Sequence, residues 1–219
     1  MTDGILLIDK PDGMTSFGVV ARVRRVLTQQ NGRRIKVGHT GTLDPFATGL
    51  LILCVGKETK NAMSYTKLDK VYEATVRLGQ TSTTGDPEGE VTDVSDMQPS
   101  RDDIEVAVQQ FTGEITQRPP IYSAIKVGGR RAYDLAREGK EVEIPERMVT
   151  IHSLEVVDYT YPELKIRTHV SSGTYIRTLA QDIGEALGTG AYCTQLRRTK
   201  IADWDIGSAQ SLGDFGIDD

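Results

Sequence analysis

Apolar residues recur along this chain in two rhythms, and the rhythm changes mark the elements. Gly4-Ile5-Leu6-Leu7-Ile8 is short, apolar and β-branched at two places, which predicts a strand. Asp9-Lys10-Pro11-Asp12-Gly13 closes it with turn chemistry. Thr15 or Ser16 then caps a helix in which Val19, Val20, Val23, Val26 and Leu27 fall at helical spacing, and Asn31-Gly32 stops it. Leu50 to Val55 is an unbroken apolar run, read as a buried strand, and Glu58 to Leu68 as a short helix. From Lys70 to Gly79 the period is two, with Tyr72, Ala74, Val76 and Leu78 on one face. Gln80 to Pro99 is polar and acidic and reads mostly as loop, and Ser100 with Asp103 caps a helix running to about Phe111.

The second half continues the alternation. Gln117 to Glu143 is an irregular excursion, broken by Pro119-Pro120, with a Gly128-Gly129 tip and one or two helical turns over Ala132 to Arg137. Met148 to Tyr159 and Glu163 to Ser171 read as antiparallel strands, with His169 on the solvent side of the second. Ile176, Leu179, Ala180, Ile183 and Leu187 form the stripe of a helix that Gly188 ends. Ala191 to Lys200 is a strand or a helix-to-strand passage. With no repeat or linker, the expectation is one domain over 1–219, with an insertion near 117–143 and an acidic tail from about 201 to 219.

Composition narrows the class. The 219 residues are 38% hydrophobic, enough for a sizeable core. Cys54 and Cys193 lie far apart and form no C-x-x-C pair, so Cys54 reads as a core residue and a disulfide framework is not expected. The three histidines, His39, His152 and His169, show no metal-ligand spacing. Met1 to Lys10 lacks the basic start and long apolar centre of a signal peptide, and no apolar run approaches the roughly 20 residues that cross a bilayer. The reading is a cytoplasmic protein. The net charge of −5 argues against nucleic acid, but basic clusters stand apart from the acidic stretches. They are Arg22, Arg24, Arg25; Arg33, Arg34, Lys36; Lys126, Arg130, Arg131; and Arg197, Arg198, Lys200. Each reads singly as a solvated face, and together as a basic footprint if the fold gathers them.

Familiar catalytic motifs are missing: there is no G-x-G-x-x-G, no G-x-x-x-x-G-K-[ST], no G-x-S-x-G and no H-E-x-x-H. Three polar segments remain. They are Asp9 to Ser16; Gly38-His39-Thr40-Gly41-Thr42-Leu43-Asp44-Pro45-Phe46-Ala47-Thr48-Gly49; and Ser171 to Arg177, continued by Asp182 to Glu185. Taken alone, Asp44 reads as an ordinary turn aspartate, held extended by Pro45. In this order and together, the three segments closely resemble the TruB family of tRNA pseudouridine synthases. Lys70-Val71-Tyr72, Gln117 to Ala124 and Leu196-Arg197-Arg198-Thr199 add to the resemblance, which covers about residues 4 to 200.

The resemblance implies a mixed α/β (α+β) pseudouridine-synthase catalytic fold, with a mostly antiparallel central sheet flanked by helices and an RNA-gripping insertion. It implies isomerisation of uridine 55 in the T-loop of tRNA with no cofactor; the expected partner is the tRNA T-stem-loop, with no metal and no membrane, and the expected state is a monomer. Asp44 is by resemblance the nucleophile, at the ribose anomeric carbon or the uracil ring. Arg177 is the arginine that pairs with it, and Tyr72 the active-site tyrosine that stacks on the base or moves a proton. His39 stands beside the flipped base, Tyr175 and Leu196 line the uracil pocket, and Lys126, Arg130 and Arg131 contact phosphates. Many members carry a further C-terminal RNA-binding PUA domain; none is recognisable here, so the expectation is a naturally short form or a truncated one. Competing readings are a non-catalytic tRNA-binding or tRNA-folding module and a guide-RNA-dependent relative acting on ribosomal RNA.

Overall fold

The computed structural model describes residues 2–123, 126–127, 130–131, 138 and 144–217; the side chains of Lys126, Val127 and Arg131 lie outside that description. The chain forms two compact units, one of residues 1–72 with 197–219 and one of residues 73–196.

In the first unit, β1 (Gly4–Lys10) pairs antiparallel with β3 (Thr48–Val55), from Gly4 opposite Val55 to Lys10 opposite Gly49. β2 (Val37–His39) pairs antiparallel with the end of β3. The start of β3 runs parallel to β12 (Ala191–Ile201) at Arg197 and Arg198, and β13 (Trp204–Asp205) returns on the end of β12. β4 (Lys70–Leu78) lies next to β12. β4 and β12 each contribute residues to both units.

β3 is apolar without alternation because both its faces are covered. Leu51, Leu53 and Val55 pack with Ile8 and with Val19, Val20, Val23 and Leu27 of helix α1 (Ser16–Asn31), while Leu50 and Ile52 pack with Ile201 on the other face. Fully burying an aliphatic side chain contributes roughly 1.5–3 kcal/mol, so this α1–β3 contact anchors the unit. Thr15 caps α1 by accepting from the Gly18 amide, and Gly32 ends it in the left-handed conformation that only glycine adopts without strain (φ 62°). The acidic tail is folded: Leu212 and Ile217 belong to the α1 core. A 3₁₀ turn (Gly56–Asn61) and α2 (Ala62–Thr66) stand where one short helix was expected.

In the second unit the strand order is β12, β4, β11 (Glu163–Val170), β10 (Arg147–Thr160), β7 (Gly113–Gln117). β10 pairs antiparallel with both β11 and β7. Helix α3 (Arg101–Gln109) starts in a complete Ser100–Asp103 capping box and packs against β10. Helix α4 (Ile176–Ala186) buries Ile176, Leu179, Ala180 and Ile183. The acidic stretch is not plain loop: β5 (Gln80–Ser82) and β6 (Val91–Asp93) form a hairpin, and its turn buries Asp86. Short polar strands of this kind lack the apolar alternation by which strands are read. Within the excursion, β8 (Lys126–Val127) pairs antiparallel with β9 (Arg130–Arg131); the expected turns over 132–137 lie outside the described residues. The fold is the mixed, mostly antiparallel α/β arrangement that the resemblance implies. No described helix is long and apolar enough to cross a membrane.

Gly49 shows how tightly the strand start is built. Its φ is 104°, and a Cβ there would lie 2.3 Å from the Arg198 carbonyl oxygen and 2.8 Å from its nitrogen. Both obstacles are backbone of the paired strand β12, so neither gives way. Gly49→Ala is expected to cost at least about 3 kcal/mol. Urea unfolding checks this; a midpoint unchanged from wild type would refute the close approach.

Candidate active site

The first unit holds Asp44, His39 and Tyr72. Asp44 stands between β2 and β3 on a loop fixed from three sides. The Ser16 hydroxyl accepts from the Leu43 amide (2.8 Å) and donates to the Leu43 carbonyl (2.9 Å), so the first residue of α1 clamps the residue before Asp44. The fully buried Lys10 ammonium donates to the carbonyls of Pro11 (2.7 Å), Met14 (2.5 Å) and Pro45 (3.0 Å), holding the residue after it. The Ala47 amide closes the turn on the Asp44 carbonyl at 3.1 Å. The loop is thereby rigid on both flanks of the carboxylate. His39 sits in β2, its backbone paired opposite Leu53, and Tyr72 is buried in β4.

Arg198 joins Tyr72 to this loop. Its guanidinium donates to the Leu50 carbonyl (2.7 Å), the Gly41 carbonyl (3.1 Å) and, at 3.5 Å, the Tyr72 hydroxyl. Only 1% of Arg198 is exposed, which corrects its reading as part of a basic surface cluster. Its charge is spent inside the unit, where it braces the Asp44 loop. Arg197 does the same in a partly exposed position, gripping both oxygens of Asp9 at 2.7 and 3.1 Å. Lys70, at the start of β4, donates to the carbonyls of Leu68 and, at 3.0 Å, Thr66.

Burial, and behind it the nearby Arg198 guanidinium, pushes the Lys70 ammonium down to about 8 from 10.5. The unfolded chain therefore binds this proton up to a higher pH than the folded one, so stability rises with pH between about 8 and 10.5 and the burden is complete below 8. Against Lys70→Met, wild type should gain up to about 3 kcal/mol across that window. Denaturant melts at pH 7.5 and 10.5 check this, and a constant difference would refute it. Cys54 is fully buried in β3, and burial pushes its thiol up to about 11, so it is an inert core residue as expected.

The second unit holds Tyr175, Arg177 and Leu196. The strand-to-helix loop before α4 sets Tyr175 at the helix N-cap and Arg177 in the first turn. The buried Gln117 side chain accepts from the Tyr175 amide (3.0 Å) and donates to the Tyr175 carbonyl (3.2 Å). The Arg147 guanidinium lies over the Tyr175 ring, 4.8 Å from its centroid. Arg177 is buried and donates to Asp86 Oδ2 (2.7 Å) and to the carbonyls of Thr84 (2.9 Å) and Tyr122 (2.8 Å). Asp86 is itself held, its Oδ1 accepting from the Thr84 hydroxyl (2.5 Å) and the Glu88 amide (3.0 Å). Leu196 is buried on β12.

Asp86, Gln117 and Arg147 were not singled out as site residues from the sequence. Asp86 sits in an acidic polar stretch that reads as solvated, and only the hairpin turn carries it inside. Gln117 lay within a family segment, but a glutamine by itself announces no chemistry. The β10–β11 pairing also brings His152 and His169 together, ring centroids 4.6 Å apart, which sequence spacing did not reveal. Of the expected phosphate contacts, exposed Arg130 pairs with Glu138, while the side chains of Lys126 and Arg131 lie outside the described residues.

The first unit thus holds an aspartate on a rigid Gly- and Pro-bearing loop and a buried tyrosine, and the second a buried arginine opening a helix, in a mixed α/β fold. Comparisons with known proteins make the class specific. A family model described as TruB family pseudouridylate synthase (N terminal domain) matches residues 24–176, and one described as tRNA pseudouridylate synthase B C-terminal domain matches 177–215. The tRNA pseudouridine synthase B of Cupriavidus pinatubonensis is 49% identical over 212 residues, which are 95% of this chain and 66% of that protein. That of Burkholderia lata is 48% identical over 97% of this chain and 64% of that protein. This chain thus spans about two thirds of the length of these relatives. Among solved structures, one of a Cbf5-Nop10-Gar1 complex superposes with a TM-score of 0.76 at 30% identity, covering 97% of this chain and 53% of that one. One of an H/ACA RNP bound to a substrate RNA containing 2'-deoxyuridine superposes at 0.71 and 28% identity, covering 96% of this chain and 51% of that one. The chain belongs to the TruB family of pseudouridylate synthases.

Proposed function

We propose that this protein converts uridine to pseudouridine at position 55 in the T-loop of tRNA. The reaction is an isomerisation. The bond from ribose C1′ to uracil N1 breaks, a bond from C1′ to C5 forms, and the C5 hydrogen leaves as a proton while N1 gains one. No electrons or atoms are exchanged with a third molecule, so no redox cofactor is called for. The observation that carries this reading is the Asp44 loop, matched to the family and clamped on both sides by Ser16 and Lys10.

Asp44 serves as the nucleophile, because an aspartate is ordinarily ionised at neutral pH and needs no activating base. Tyr72 offers its ring to the base and its hydroxyl, already taking the Arg198 hydrogen bond, to a proton. Tyr175, seated by Gln117 and Arg147, and Leu196 form the apolar wall for uracil. By its place in the family pattern Arg177 is the arginine that favours the ionised nucleophile, and His39 the residue beside the base taken out of the stack. Arg130, Lys126 and Arg131 contact phosphates, with Arg130 exchanging Glu138 for RNA.

The test is release of tritium from [5-³H]uridine in a T-stem-loop RNA by the purified protein alone. Stoichiometric release is expected. Binding without release would favour the tRNA-folding reading, and release only with an added guide RNA would favour the guide-dependent one.

A further inference from the structure

We propose that the outer face of α1 is a second RNA-binding surface, which takes the phosphate backbone of RNA outside the flipped nucleotide. The proposal rests on the RNA-modifying reading above and deepens it. From Gly13 to Leu43 the chain carries Arg22, Arg24, Arg25, Arg33, Arg34 and Lys36 and not one acidic residue, although the whole protein has a net charge of −5. The charge is therefore segregated, and the fold keeps it so. The apolar residues Val19, Val20, Val23 and Leu27 turn inward, which leaves Phe17, Ala21, Arg24, Arg25 and Thr28 on the open side of the helix.

Two surface clefts flank Arg25. One of about 350 Å³ is lined by Ala21, Arg24, Arg25, Thr28, Gln29 and Arg34. The other, of about 660 Å³, lies against Arg22 and Ile217. None of Arg24, Arg25, Arg33 and Arg34 makes an ion pair among the described residues, in contrast to Arg101, Arg167 and Arg197, which each hold a carboxylate.

Three observations favour RNA over an acidic protein segment. Phe17 is 63% exposed with the Arg24 guanidinium 5.9 Å from its ring centroid, and an aromatic beside arginines is a platform for unpaired bases. The cations are mainly arginines, whose planar fork suits phosphate. The helix also starts at the candidate nucleophile loop, since Ser16, next to Phe17, is the residue that clamps Leu43. Its 16 residues span about 24 Å, so a strand leaving that loop can follow several nucleotides along it.

The experiment measures the affinity of wild type and of Arg25→Gln/Arg34→Gln for full-length tRNA between 50 and 200 mM KCl, with thermal melts confirming the fold. Loss of two phosphate contacts should lower affinity about tenfold and the slope of log K against log salt by about two. A control, Arg101→Gln, removes a cation that is already paired with Glu105 and should leave the slope unchanged. An unchanged slope in the double variant, an equal fall in the control, or displacement of tRNA from wild type by polyglutamate as readily as by single-stranded RNA would each overturn the proposal. Tritium release from a minimal stem-loop at saturating RNA is run in parallel. If wild type releases none, the catalytic reading fails, while a slope loss confined to the double variant still supports the α1 surface.

Discussion

Asp44→Asn is expected to abolish pseudouridine formation, with single-turnover rates falling by at least about 10⁴ while RNA affinity stays within about twofold. The substitution keeps the shape of the side chain and the polarity at its end, and removes only the charge and the nucleophilic oxygen pair. The loop is held through groups that the substitution leaves in place. Ser16 grips the Leu43 backbone, Lys10 grips the Pro45 carbonyl, and Ala47 bonds the Asp44 carbonyl. The variant should therefore fold and bind as wild type does, so that the loss falls on the chemistry. Tritium release from a T-stem-loop, paired with filter binding of the same RNA, checks both parts. Undiminished release would refute the role of Asp44.

Asp86→Asn should have the second-largest effect, through Arg177. Both side chains are about 4% exposed, and they meet at 2.7 Å. Breaking a buried ion pair by removing one partner costs about 3–5 kcal/mol. The Thr84 and Tyr122 carbonyls would still hold the guanidinium by its hydrogens, but they carry no formal charge. A fall of roughly 3 kcal/mol in unfolding free energy is expected, together with a loss of turnover that saturating RNA does not restore. Denaturant unfolding and single-turnover rates test this. Wild-type stability with wild-type turnover would show that Arg177 does not depend on Asp86.

The strongest periodic signals carried through to the structure. The valine stripe of α1, the apolar run of β3, the alternation of β4 and the Ser100–Asp103 box each depend on neighbours a few residues away, so local pattern suffices to read them. The polar hairpin of β5 and β6 did not show, because its strands are three residues long, its buried side chains, Ser82 and Asp86, are polar, and Asp86 has a partner 91 residues away. Arg198 misled for the same reason. Its charge suggested solvent, and its actual acceptors, at Gly41 and Leu50, lie about 150 residues earlier in the chain.

By itself the sequence determined the rhythm of the elements, the capped ends of α1 and α3, and the segment Gly38 to Gly49 by which the family is recognised. It also set the acid-free stretch from Gly13 to Leu43, with its arginines and one lysine. The tertiary structure alone decided which cations remain on the surface and which become internal braces. Lys10, Lys70 and Arg198 are carried inside by the strands that hold them and find backbone carbonyls, whereas Arg24 and Arg25 ride the open side of α1 and Arg34 lies exposed just beyond its end. The physical reason is that a charged side chain enters a protein interior only where fixed dipoles or an opposite charge replace its water. Those partners come from strand register and turn closure across distant parts of the chain, which no local pattern of residues contains.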